Sequence, residues 1–252
     1  MVRITRGISL HISPVEDSLL MGLAGSLSLD RVPLVLWFTY ESSHLDESGM
    51  VVNVTEINNA LRSELGRQPV GIRNAEVLLD WAWEVMQDKF EHCRLRRLTL
   101  DIHKSLAITR DSEEPEMIQI TTKYELAASH RLWNRKWDEQ RNRQMFGKCS
   151  NPAGHGHNYL LEVTISSKPD AETGLVALPD DINRIVREQV IERFDHKNLN
   201  EDTHEFVERM PTVENMAQVF WERLVGRFDH AQLVRIKLWE TSSTYAEYYG
   251  PE

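Results

Sequence analysis

The stretch LEVTISSKPDAETGLVALPDDINRIVR, residues 161–187, decides the fold because a related stretch occurs earlier in the chain. That stretch is LWFTYESSHLDESGMVVNVTEINNALR, residues 36–62, and it aligns without a gap at an offset of 125. Nine of the 27 aligned positions are identical. Similarity at a fixed offset is the signature of a repeated structural unit. The sequence therefore predicts two copies of one unit.

A second pair of matching stretches supports the duplication. Residues 73–100 align with residues 211–238 at an offset of 138, with eight identities. The change of offset means that the second copy carries 13 extra residues, and the insertion contains RFDHKNLNEDTHEF, residues 193–206. We place the first copy at residues 1–112 and the second at residues 113–252.

The residue patterns predict the same elements in each copy. In the second copy, the alternating strand LLEVTISS leads through a turn at Gly174 to a second short strand. Two helices follow, DDINRIVREQVIERF and a helix for which Thr212 is a plausible N-cap. A closing strand, LVRIKLWE, completes the copy, and another strand leads up to His130. The apolar face of the second helix consists of Val213, Ala217, Phe220 and Leu224.

This ββααββ order predicts an α+β fold, with an antiparallel sheet and helices on one of its faces. The other face of each sheet must also be buried, and open sheet edges tend to pair with further copies. A closed barrel built from several units meets both needs. We therefore expect a homo-oligomer that assembles through its sheet edges into a barrel.

Composition excludes several classes of protein. The chain has 252 residues, of which 41% are hydrophobic and 27% charged, and its formal net charge is −10. An acidic chain argues against sequence-independent nucleic-acid binding. No apolar run is long enough for a membrane span, and the first residues lack the apolar stretch of a signal peptide, so a cytoplasmic location is expected. The two cysteines, Cys93 and Cys149, cannot make a disulfide scaffold.

A metal site is indicated by histidines in the second copy. His155 and His157 are two residues apart, so on an extended segment they point the same way, and Gly156 leaves room for an ion. His130, at the end of the preceding strand, is a candidate third ligand. Three neutral histidines with an open fourth position are typical of catalytic zinc. The alternative is that these are ordinary surface or turn histidines.

Cys149 lies six residues before His155, across a loop that contains proline and glycine. Such a loop can fold the thiol back over a metal site, where it would serve as a base or nucleophile. Two alternatives remain open. The cysteine is a small buried apolar residue, or it is the fourth ligand of a structural zinc site.

Two further carboxylates are candidate site residues. Asp195 and His196 could form an orienting pair, although neighbouring side chains meet only across a turn, which Lys197 and Asn198 could supply. The alternative is a polar loop between helices. Glu240 ends an apolar strand, where it would bind an amino-bearing ring or simply face solvent.

The repeat itself tests these alternatives. Packing positions recur in both copies, whereas the reactive residues occur together only in the second. His11 is the nearest candidate to match His130, and the Asp195–His196 segment lies in the insertion and has no counterpart. Residues needed only for packing should not segregate in this way. The remaining aligned positions are Ala24 for Cys149, Asp30 for His155, Val32 for His157 and Ile102 for Glu240.

The second copy resembles the 6-pyruvoyl-tetrahydropterin synthase family. The resemblance covers residues 124–252, and its stretches stand in order and at suitable spacings. The first copy resembles a degenerate form of the same T-fold unit that lacks every motif. The stretches that carry the resemblance are ASHRLWN (128–134), MFGKCSNPAGHGHNY (145–159), FDHKNLN (194–200), PTVEN (211–215) and KLWET (237–241).

The resemblance implies a T-fold barrel and a zinc-dependent lyase. The substrate would be 7,8-dihydroneopterin triphosphate, which loses triphosphate to give 6-pyruvoyl-tetrahydropterin. Cys149 would abstract a proton, Asp195 and His196 would form a relay, and Glu240 would anchor the pterin ring. Lys148, Arg131 and Lys197 are candidates for steering the triphosphate. The zinc ligands would be His130, His155 and His157.

Three alternatives to this function stay open. One is 6-carboxytetrahydropterin synthase, on the route to queuosine, which shares the fold and ligands but has a shorter spacing from the cysteine to the histidine pair. Here five residues, Ser150–Gly154, intervene. The second is a non-catalytic scaffold that binds a pterin or purine. A zinc hydrolase is the third, although it would want a carboxylate or histidine base where this site offers a thiol.

Overall fold

The computed structural model of the chain divides into two compact units, and the boundary between them falls inside two strands, between Thr121 and Thr122 and between Ile165 and Ser166. Unit 1 comprises Met1–Thr121 and Ser166–Leu178, and unit 2 comprises Thr122–Ile165 and Pro179–Glu252. Within these units, the residues that the structure describes are 1–10, 34–65, 75–169 and 179–251.

Unit 1 contains an antiparallel sheet with strand order β1-β2-β3-β4 and two helices between β2 and β3. Alternate residues of β2 are fully buried, among them Leu36 and Phe38, because successive side chains of a strand point to opposite faces. The elements are β1 (Val2–Leu10), β2 (Leu34–Ser42), α1 (Val54–Leu65), α2 (Ala75–Met86), β3 (Arg94–His103) and β4 (Leu106–Asp111).

One strand predicted for unit 1 is not formed at residues 50–53, which lie within the described part of the chain. After the turn at Gly49, which has a φ of 79°, Val51 and Val52 are buried, but they lie in a bend rather than a strand. The prediction of a second short strand is therefore wrong for this copy. The apolar residues are buried without pairing to a neighbouring strand. The corresponding turn at Gly174 lies outside the described residues, as do His11, Ala24, Asp30 and Val32.

Unit 2 holds the second half of β5 and most of β6, with strand order β5-β6-β8-β9 and with β7 paired to β5. A 3₁₀ turn (Gly147–Ser150) follows α3, and a π-helical segment (Arg187–Ile191) joins α4 to α5. The strands are β5 (Ile118–His130), β6 (His155–Ser167), β7 (Lys197–Asn198), β8 (Gln232–Thr241) and β9 (Thr244–Tyr248). The helices are α3 (Glu139–Phe146), α4 (Pro179–Val186), α5 (Glu192–Phe194) and α6 (Val213–Leu224).

Helix α6 confirms the sequence prediction for this element. The Thr212 side chain accepts a hydrogen bond from the backbone N–H of Asn215, which makes Thr212 the N-cap. The predicted apolar face is buried, and Phe220 packs against Phe194 with ring centroids 5.1 Å apart. Since burial of such a face is what holds a helix of this length in place, α6 is fixed against β8 and β9.

The antiparallel sheets with helices confirm the α+β prediction at the level of architecture. Within the described part of each unit, the strand order does not return to its starting strand, so neither sheet closes into a barrel by itself. A barrel made from several chains stays a prediction. In the same described ranges, no helix combines the length and apolar character needed to cross a membrane.

Candidate metal and acid–base site

Three histidines from two strands of unit 2 form a cluster. His130 is the last residue of β5, and His155 and His157 lie at the start of β6, two residues apart on one face of the strand. One ligand nitrogen from each ring lies within 4.8 Å of the other two. The ring centroids are 4.5 to 5.2 Å apart. The structure thus brings the three predicted metal ligands together.

The orientation of His130 is fixed by a backbone carbonyl. Its Nδ1 lies 2.6 Å from the carbonyl oxygen of Pro211, and because a carbonyl can only accept, Nδ1 carries the proton. The lone pair of Nε2 therefore faces the cluster, 3.1 Å from Nε2 of His155. Two nitrogens on one tetrahedral zinc ion would be about 3.3 Å apart, given zinc–nitrogen bonds of about 2.0 Å. The spacing fits a shared ion.

Burial favours the neutral form of these imidazoles. It lowers the pKa of His130 to about 4; the Pro211 carbonyl opposes this shift, and the neighbouring His155 and His157 add to it. Burial also lowers the pKa of His155, with a further contribution from His157 and an opposing one from Glu240. A metal binds the neutral imidazole, so near neutral pH both rings are in the ligating form.

Two ring nitrogens of the cluster lack partners. Nδ1 of His155 and Nε2 of His157 are buried and have no hydrogen-bond partner among the described residues. A buried polar atom without a partner costs roughly 1–3 kcal/mol. An ion held by the cluster would remove this cost at Nε2 of His157, whereas Nδ1 of His155 lies across its ring from the Nε2 that faces His130. The donor set, the spacing and the unpaired Nε2 of His157 fit a divalent metal that prefers nitrogen ligands, with zinc the expected one.

The loop from Cys149 to His155 is held against the end of β5. The backbone N–H of Leu132 donates to the carbonyl of Cys149 at 2.9 Å. Gly154 has a φ of 69°, and a Cβ at this position would lie 2.8 Å from the carbonyl oxygen of His130. Only glycine tolerates both the backbone conformation and the close approach. Gly154 therefore sets how near His155 comes to His130.

Cys149 and His155 line the same cavity, which has a volume of about 680 Å³. The thiol belongs to the 3₁₀ turn after α3 and is half-buried. The loop brings the cysteine to the same cavity as one of the clustered histidines, as the spacing predicted. A free thiol in such a position is able to exchange a proton with a molecule bound in the cavity.

Asp195 and His196 form a hydrogen-bonded pair. Nδ1 of His196 lies 2.8 Å from one carboxylate oxygen of Asp195, and the other oxygen accepts from the backbone N–H of Ala127 at 2.7 Å. Burial opposes ionisation of Asp195, but these hydrogen bonds outweigh it and hold its pKa below the ordinary value. The carboxylate is therefore ionised and orients the imidazole.

The turn that makes this pair possible lies one residue earlier than predicted. Lys197 and Asn198 form the short strand β7, so they do not supply the turn. Instead His196 itself adopts a positive φ of 57°, which is uncommon for a residue other than glycine. Its backbone N–H donates to the carbonyl of Ala127 at 2.6 Å. The His196 side chain remains 82% exposed.

His196 lines a different cavity from the thiol. A polar cavity of about 420 Å³ is bordered by His196, Lys197 and His157, whereas Cys149 borders the cavity of about 680 Å³. The two cavities have no lining residue in common. Within the described part of one chain, the structure therefore brings Asp195 to His196 but does not place this pair in the cavity of the thiol.

Glu240, near the end of β8, lies beside the histidine cluster. Its carboxylate oxygen is 3.6 Å from Nε2 of His130 and 3.8 Å from Nε2 of His157. Both distances exceed a hydrogen bond. The carboxylate is 20% exposed and keeps its capacity to accept hydrogen bonds from a bound molecule.

Two residues of the site were not predicted from the sequence. Pro211 acts through its backbone carbonyl, which the identity of a side chain does not reveal. Its stretch PTVEN (211–215) is one of those that carry the family resemblance. Tyr159, two residues after His157, is buried and its hydroxyl has no hydrogen-bond partner within the described ranges. The same two-residue spacing that groups His155 with His157 would have put Tyr159 on their face of the strand.

Residues 119–251 match the family model "6-pyruvoyl tetrahydropterin synthase". The chain is 36% identical to 6-pyruvoyl tetrahydrobiopterin synthase of Pongo abelii over 132 residues, which is 52% of this chain and 91% of the relative. It is 30% identical to 6-carboxy-5,6,7,8-tetrahydropterin synthase of Aquifex aeolicus, covering 52% of this chain and 96% of the relative.

A solved structure gives the same result for the fold. The structure of 6-pyruvoyl tetrahydropterin synthase from Caenorhabditis elegans matches with a TM-score of 0.51 at 28% identity. The match covers 54% of this chain and 96% of that protein. About half of the chain therefore has the fold of an entire synthase subunit.

Substitution of Gly154 should weaken metal binding. In Gly154→Ala, the added Cβ would push the loop away from the His130 carbonyl and separate His155 from His130. We expect zinc affinity to fall by at least tenfold, measured by competition with a chromogenic chelator. Gly226→Ala is the matched control, because Gly226 has a φ of 71° and open space around its Cα. Equal zinc affinity in both variants would contradict the positioning role.

Titration of His130 should make the metal-free protein less stable in acid. The pKa of this histidine falls from an ordinary 6.5 to about 4 on folding, so the unfolded chain binds the extra proton as pH drops. Stability is then fully present above pH 6.5 and is lost down to about pH 4, by about 3 kcal/mol. Urea unfolding at pH 7 and pH 4 would measure the loss. His130→Gln should lose correspondingly less, and identical losses would contradict the assignment.

Proposed function

Because the chain belongs to the 6-pyruvoyl tetrahydropterin synthase family, we propose that it is a lyase that converts 7,8-dihydroneopterin triphosphate into 6-pyruvoyl-tetrahydropterin and triphosphate. The observation that carries the proposal is the three-histidine cluster beside a cavity that Cys149 also lines. Residues 113–252 would form the catalytic copy and residues 1–112 a degenerate copy without the reactive residues. The names of the relatives support the substrate class.

The cluster would hold a zinc ion. His130, His155 and His157 fit this role through their spacing, and Nε2 of His157 is buried without a hydrogen-bond partner among the described residues. Bound zinc would supply a Lewis acid that polarises the oxygens of the substrate side chain. Pro211 would keep the Nε2 lone pair of His130 directed at the ion.

The reaction requires proton transfers but no external oxidant. In the proposed product, the pterin ring is reduced to the tetrahydro level while the side chain is oxidised to two carbonyls, so electrons stay within the molecule. Cys149, as the thiolate, would remove a proton from a side-chain carbon that bears a hydroxyl. The bond from carbon to the triphosphate oxygen then breaks, and triphosphate leaves with the electron pair.

Glu240 would assist this step by binding the pterin ring, and the Asp195–His196 pair would assist it by transferring a proton. The carboxylate of Glu240 lies beside the cluster with acceptor capacity to spare, so it would bind the amino-bearing edge of the pterin ring. Asp195 would hold His196 in one tautomer, with Nε2 free to pass a proton. The geometry of each group and the family membership support this division of roles.

The position of His196 supports a site shared between two copies. Its imidazole is largely exposed, and it lines a cavity separate from that of Cys149. We propose that His196 of one chain serves the thiol of a neighbouring chain in a homo-oligomer built through sheet edges, which also gives the open sheets their partners. The alternative is that each catalytic copy completes its own site.

A second candidate activity is formation of 6-carboxytetrahydropterin. A relative that carries this name is 30% identical over a similar share of the chain. The five residues between Cys149 and His155 favour the pyruvoyl product. Both reactions would use the same metal ligands and thiol, so only the product separates them.

Loss of the thiol should abolish turnover without loss of the metal. We expect Cys149→Ala to lower kcat by at least about a hundredfold, the usual worth of a general base, with zinc content unchanged. The measurement is mass spectrometry of products from 7,8-dihydroneopterin triphosphate with zinc-loaded protein. Detection of carboxytetrahydropterin with acetaldehyde would instead indicate the second candidate activity. Absence of any product from the wild type would favour a binding scaffold.

Mixing of two inactive variants should restore activity if sites are shared. Cys149→Ala and His196→Ala, co-expressed, would form some interfaces that hold one intact thiol and one intact imidazole. Random pairing predicts recovery of about a quarter of wild-type activity for a twofold-symmetric interface. The control pairs Cys149→Ala with a Cys149→Ala, His196→Ala double variant and should stay inactive. No recovery in the test pair would mean that each copy completes its own site.

A further inference from the structure

The larger cavity of unit 2 combines reactive residues with cationic ones. Cys149 and His155 border it on the side of the histidine cluster, and Arg143 and Lys148 also line it. The other lining residues are small polar residues, glycines and a proline. Those residues are Gly147, Ser150, Asn151, Pro152 and Gly154.

We propose that this cavity binds a polyphosphate chain through Lys148 and Arg143. On the proposed function, which this inference rests on, the polyphosphate is the triphosphate arm of the substrate. The inference names the residues that recognise the leaving group, and it assigns them to the thiol's cavity rather than to the cavity beside His196.

The charges of the cavity match this ligand. Among the described residues that line it, none carries a carboxylate. Among the residues that the structure describes, Lys148 forms no ion pair. Arg143 pairs with Glu139, but both side chains are about 65% exposed, so the pair is weak and can open to an anion. The chain has a net charge of −10, but beside the thiol Lys148 and Arg143 give a local positive charge. This local charge favours binding of an anion.

The other two candidate cations are less suitable. Arg131 is already engaged: its Nε donates to the carbonyl of Ser150 at 2.9 Å, and its guanidinium lies 4.0 Å from the ring centroid of Trp133. Arg131 therefore holds the loop that carries the thiol. Lys197 lines the smaller cavity with His196, on which the thiol does not border.

The order of groups along the substrate supports the same cavity. The hydroxyls that the metal would polarise and the carbon that Cys149 would deprotonate lie next to the carbon that carries the triphosphate. The phosphates must therefore begin within a few bonds of both the cluster and the thiol. The cavity of about 680 Å³ meets both conditions, because His155 and Cys149 line it together with the two cations. Cations there would also stabilise the negative charge that develops on the departing triphosphate.

Binding of inorganic triphosphate tests the proposal directly. Calorimetric titration of zinc-loaded full-length protein should give a dissociation constant that rises about tenfold in Lys148→Met, as expected for loss of one charge-assisted contact. Arg143→Gln should weaken binding in the same direction, and added salt should weaken the wild type more than the variants. Zinc content is measured before and after, so that extraction of the metal by triphosphate is recognised.

Lys104→Met is the matched control, since it removes the same charge from an exposed turn of unit 1, at a residue that lines neither cavity. Unchanged triphosphate affinity in this variant is expected. If Lys197→Met weakens binding and Lys148→Met does not, the assignment is overturned. It is equally overturned if the wild type fails to bind inorganic triphosphate, or if no variant differs from it.

The outcome separates this inference from the proposed function. Inorganic triphosphate needs no pterin and no turnover, so its binding stands even if 7,8-dihydroneopterin triphosphate is not converted. Conversely, if the protein converts this substrate and Lys148→Met has the same KM as the wild type, the proposed function stands and the inference is wrong. A rise in KM of about tenfold with a smaller change in kcat is the expected result.

Discussion

The site depends on the hydrogen bonds that fasten the 195–200 segment alongside the end of β5. The N–H groups of His196 and Leu199 donate to carbonyls of β5, and the carboxylate of Asp195 accepts from Ala127 in return. The Asn200 amide then pairs with both the N–H and the carbonyl of Arg131. The end of β5 is thereby anchored on both sides of His130 along the chain, at Ala127 and Ser129 before it and at Arg131 after it.

Burial determines the chemical state of the cluster. The same environment that makes His130 1% exposed favours its neutral ring, and the Pro211 carbonyl selects which nitrogen keeps the proton. Three neutral rings whose nitrogens lie this close together can share one cation. The energetic penalty of unpaired, desolvated nitrogens is therefore built into the folded chain before any ion is bound.

Sequence predicted the parts of the fold and site that depend on periodicity. Helix α6, its cap at Thr212 and the shared face of His155 and His157 follow from side-chain spacing, and all three are observed. The sequence did not show the bend at Val51, where burial occurs without strand pairing, or the positive φ of His196. The positive φ of His196 accompanies a hydrogen bond to Ala127, which is distant in the chain. Backbone groups such as the Pro211 carbonyl are likewise invisible to any reading of side chains.

The loop that carries the thiol is anchored at both ends, by the carbonyl of Cys149 at one and by the close approach of Gly154 to His130 at the other. Because Arg131 also holds the carbonyl of Ser150, a loop fixed in this way can absorb insertions or deletions only between its anchors, at residues 151–153. Loops of different length in related proteins would then differ in how far this segment bulges, while the thiol and the histidines stay in register. Loop length would accordingly tune the size of the ligand that the cavity admits and leave the reactive groups unchanged.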